Sequence, residues 1–157
     1  MSKPLSSWFF WITLLVAFGV YFFPLRGDAN FWRPLPVFMV TIFWLLREPH
    51  ALGLGFAWSV GLVLDIVGHG VWGQHALGLL VCAYLLQLAG ERMHHFTVWH
   101  QMVVVSGLAL AYQMLVVLIY LMAGKEAHTL QMFYPVVTSV LAWPLMAGLM
   151  YWLYRPS

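Results

Sequence analysis

The sequence predicts an all-α membrane protein, a compact bundle of six transmembrane helices. Two observations carry that expectation. Of the 157 residues, 63% are hydrophobic and 8% charged, and the mean hydropathy is +0.86, whereas soluble domains carry about 25% charged residues. The apolar residues also fall into six runs at about 6–23, 32–46, 51–67, 72–90, 98–122 and 132–153, against the ~20 residues that a spanning helix needs. So little polar sequence remains that residues 1–157 read as a single integral membrane domain. No linker, internal repeat or low-complexity tract stands out.

The first run follows Lys3 and looks like a signal peptide, but it is broad and aromatic. No small-residue cleavage site follows it, so a retained first helix is expected. Arg33-Pro34 opens the second run. Proline suits a first helical turn, and Arg33 can extend to the interface. Arg47-Glu48-Pro49-His50 closes that run, because Pro49 cannot continue a helix. The second and third runs sit at or below the lower length for a span. They read as a tight helical hairpin in thinned bilayer, or as two arms re-entering from one side.

The third run carries Asp65, the one carboxylate inside an apolar run. A carboxylate near the centre of a membrane helix costs roughly 2.5–3.5 kcal/mol on insertion scales. Gly61 and Asp65 share a helical face that Gly68 continues. Small residues there admit a neighbouring helix closely, so the carboxylate is expected to face protein. It should bond the 68–73 turn and pair with Arg33, with His69 and His75 on the same side. Two readings stand: a structural carboxylate fixing the turn, or a contact for a ligand or partner. Seven glycines between Gly53 and Gly78 place the third and fourth helices at the tightly packed centre.

The fifth run holds Ser106, Gly107, Ala111, Tyr112 and Gln113, with Gln113 expected to bond across helices. In the sixth, Pro144 should kink the helix beside Trp143. Most tryptophans fall near run ends, where indoles meet the lipid–water interface. Trp44, Trp58 and Trp143 lie deeper and are expected to pack between helices.

Several function classes are excluded. The net charge of +2 is spread thinly, with no polybasic run for nucleic acid. Cys82 is the single cysteine, so no intramolecular disulfide forms. His94, His95 and His100 lack zinc-ligand spacing, and no metal or other cofactor is expected. No Ser-His-Asp set, P-loop or paired carboxylates appear, so the chain is not read as an enzyme. Asp65 stands alone among the runs, so a proton relay lacks its chain of ionisable groups.

The chain resembles MreD, the family of rod shape-determining membrane proteins of bacteria. The residues that carry this are Phe31 to Pro34, Pro49-His50, Gly61-x3-Asp65 with Gly73 beyond, and Trp143-Pro144. The 61–73 block is the most specific. Leu35 and Ala51 depart from the polar and basic residues the family often has there. The resemblance implies a non-enzymatic part of the cell-wall elongation machinery, or elongasome, which serves peptidoglycan synthesis. It implies an inner-membrane location beside MreC, a bitopic protein. It also implies work with the RodA glycosyltransferase, its transpeptidase partner PBP2 and MreB filaments. A fold like the substrate-binding subunits of energy-coupling factor transporters follows too. The rival is a small-molecule-binding membrane subunit of a transporter, using Arg33, Asp65, His69, His75 and Gln113. A membrane enzyme using Asp65 ranks last, for want of a second acid or base.

With the N-terminus inside, Lys3, Arg47, Arg92 and Arg155 are cytoplasmic, against Arg26, Arg33 and Lys125 outside. Both termini are then expected in the cytoplasm. The 47–50 and 91–100 turns become the candidate cytoplasmic contacts.

Overall fold

The structure is a computed structural model that describes residues 8–24, 26–27, 32, 34–68, 71–126 and 130–153. Within these residues there is no strand. Six α-helices follow one another: α1 Trp8–Phe22, α2 Pro36–Arg47, α3 Leu54–Val67, α4 Gln74–Ala89, α5 Val98–Met122 and α6 Tyr134–Leu153. Short 3₁₀ turns at Glu91–His95 and Gln131–Phe133 lead into α5 and α6. The stretches Val98–Met122 and Gln131–Leu153 are long and apolar enough to cross a membrane. The other four helices have 12 to 16 residues.

The start of α2 corrects the expectation from Arg33-Pro34. The helix begins at Pro36, with Pro34 ahead of it. Leu35 precedes this second proline, whose ring disfavours helical backbone in the residue before it. Leu35 accordingly sits at φ −89°, ψ +83°. Pro36 takes the first helical position, where a missing N–H matters least. The N–H of Leu35, the one donor between the two prolines, bonds Ser139 Oγ on α6 at 2.7 Å. Arg33 itself lies outside the described residues, as do Phe31, His69, Lys3 and Arg155.

Every residue from 37 to 46 is buried. A helix that is apolar all round belongs inside a bundle, and α2 is that helix here. Its Trp44 meets Phe10 of α1 edge-on at 5.1 Å and donates Nε1–H to Thr13 Oγ1 at 3.0 Å. Its Phe38 packs on Tyr112 of α5 at 5.0 Å, and its Phe43 on Tyr151 of α6 at 5.2 Å. α2 also lies against α4. The centre is therefore α2, not the α3 and α4 pair that the glycines suggested. α3 buries only the stripe Ala57, Val60, Gly61, Leu64 and Asp65. Trp58 stands at the edge of that stripe and is 46% exposed, contrary to expectation, while Trp44 and Trp143 are fully buried.

What the glycines do is bring neighbours close. A Cβ on Gly61 would fall 2.6 Å from Ala76 N and His75 O, so α3 rests on the first turn of α4. A Cβ on Gly78 would fall 2.7 Å from the Tyr112 ring, which seats α4 on α5. α5 in turn packs on α6, which runs on through Pro144.

Candidate functional site

Asp65 is 1% exposed, two residues before the end of α3. Its Oδ2 accepts from the N–H of Gly73 at 2.9 Å and of Ala76 at 3.2 Å. Its Oδ1 accepts from the N–H of His75 at 3.0 Å. Gly73 is the residue that caps the start of α4, with φ +92°. It has no side chain to serve the first free N–H groups of that helix, a task usually taken by Ser, Thr, Asp or Asn at that place. Asp65 serves them from the preceding helix. Its charge also lies at the positive end of the α4 dipole, which favours it. Gly61 and Gly73 each have a role in this arrangement. One lets the two helices approach, and the other makes the left-handed turn.

The His75 ring extends the cluster. Nδ1 lies 3.1 Å from Tyr112 OH of α5, and Nε2 lies 3.5 Å from Tyr21 OH of α1. A neutral imidazole donates from one nitrogen and accepts at the other, so the neutral ring accepts a hydrogen bond from one phenol and donates one to the other. Four helices meet here: α1, α3, α4 and α5. Tyr21 carried no signal in the sequence, because it lies 54 residues from its partner. Gln113 is buried on α5. The expected Arg33 partner of Asp65 lies outside the described residues.

At the opposite end of α2 the chain is arranged differently. Pro49 and His50 form the turn after α2 and line a cleft of about 230 Å³ with Leu46, Leu52, Leu86 and Met93. Met93 belongs to the 3₁₀ turn after α4, so the 47–50 and 91–100 turns meet at this cleft. Beside it, the Arg47 guanidinium lies 5.4 Å over the Tyr151 ring. Trp143 is fully buried on α6, next to Pro144, and its Nε1–H has no partner among the described residues. Among the described residues, no three His, Cys, Asp or Glu side chains gather as metal ligands would.

Comparison with known proteins adds the family. The model of "rod shape-determining protein MreD" matches residues 2–153. The chain belongs to the MreD family. Among curated relatives, the rod shape-determining protein MreD of Haemophilus influenzae is 23% identical over 138 residues, 85% of either chain. No solved structure matches significantly. Membership in the MreD family supports a role in rod shape determination.

Proposed function

We propose that this chain is a non-enzymatic scaffold of the bacterial cell-wall elongation complex, crossing the inner membrane with six helices and both termini in the cytoplasm. It grips the transmembrane helix of an MreC-like bitopic protein. Through it the chain works with the RodA glycosyltransferase, PBP2 and MreB filaments, directly or indirectly. The observation that carries this reading is the family match along almost the whole chain. The geometry at Asp65 supports it. Among the described residues, the hydrogen bonds of the carboxylate go to backbone N–H groups at the start of α4, those of Gly73, His75 and Ala76, which suits a structural element and not a group offered to a substrate. The transporter-subunit reading asks for polar groups presented to a pocket, and Asp65 is committed elsewhere. The likeness to energy-coupling factor subunits stands as part of this proposal.

The layout fits a membrane in spite of the short helices. α2, at 12 residues, is about 18 Å long against a hydrocarbon core of about 30 Å. Because α2 is enclosed by other helices, it has no lipid to match. Outside it, apolar faces with Leu15, Val63, Met114 and Leu145 turn outward, as lipid-facing sides do. Helix–helix grip in lipid comes from close packing, and that is the contact offered to the partner helix.

The test is a tagged purification from native membranes in mild detergent, with mass spectrometry of what accompanies the chain. Recovery of an MreC-like protein with RodA and PBP2 is the expected result. An ATPase module or a stoichiometric small molecule would sink the scaffold reading.

A further inference from the structure

We draw no further inference here: the strongest candidate, the apolar groove of about 350 Å³ between α5 and the turn before α6, lined by Met114, Leu118, Leu121 and Phe133, carries nothing, because nothing in the structure shows what covers it.

Discussion

The two ends of the bundle treat charge in opposite ways. Around Asp65 a buried carboxylate is consumed by three backbone N–H groups, two helices are in near contact, and a Cβ has no room. Around Arg47 the charged side chains line an open pocket. At the first end a charge is taken up by helix backbone; at the second, charged side chains stand at the wall of a pocket. The difference is in the partners. Backbone donors at a helix start are fixed, so Asp65 cannot leave without orphaning them. Side chains of α2, α5 and α6 meet at the other end and leave space between them.

That contrast breaks most visibly at Asp65. Asp65→Ala removes the acceptor of three N–H groups, and a loss of about 3–5 kcal/mol is expected, read by thermal denaturation in mild detergent. Rod shape should be lost with it in cells that depend on this chain. Asp65→Ala leaving both assembly and cell shape intact would remove the importance given to this end. Gly61→Ala comes next. The added Cβ meets α4 backbone, which cannot turn aside as a flexible side chain would, and overpacking of this kind costs about 3 kcal/mol.

Two of the three tryptophans expected to lie deep, Trp44 and Trp58, sharpen the comparison between centre and edge. Trp44→Ala opens a void at the centre and is expected to cost about 3 kcal/mol. Trp58→Ala, at the edge of α3, should stay within about 0.5 kcal/mol. Equal losses at the two sites would contradict the central place of α2. Ser139→Ala deprives the Leu35 N–H of its acceptor, for about 1 kcal/mol. Glu48→Gln has the smallest expected effect on melting, about 0.5 kcal/mol or less.

Some of this was legible in the sequence. The apolar run of α5 is bracketed by Thr97 and by Gly124 at φ +77°, and its helix fills the space between. Asp65 and its glycines lie within one short segment, so their geometry follows from helical periodicity and a turn. What periodicity does not convey is which apolar helix lies inside. Each of the six runs is apolar, and the glycines of α3 and α4 drew the centre toward themselves. The shortness of the second run pointed to α2 in retrospect, since a helix enclosed by others need not match the bilayer. The start of α2 was displaced because two prolines compete for one helical entry, and the second one holds Leu35 out of the helix. The Tyr21 and Tyr112 contacts of His75 and the walls of the Arg47 pocket come from distant parts of the chain. No local pattern records them.

The length of α2 has a consequence for biogenesis. Independent insertion of each helix before they associate asks for ~20 apolar residues, and α2 has 12. By its length α2 does not meet that requirement on its own. Three of its enclosing neighbours, α4, α5 and α6, are synthesised after it. The order of translation and the order of packing therefore part at α2: the ribosome makes the central helix second, and most of the helices that enclose it come later.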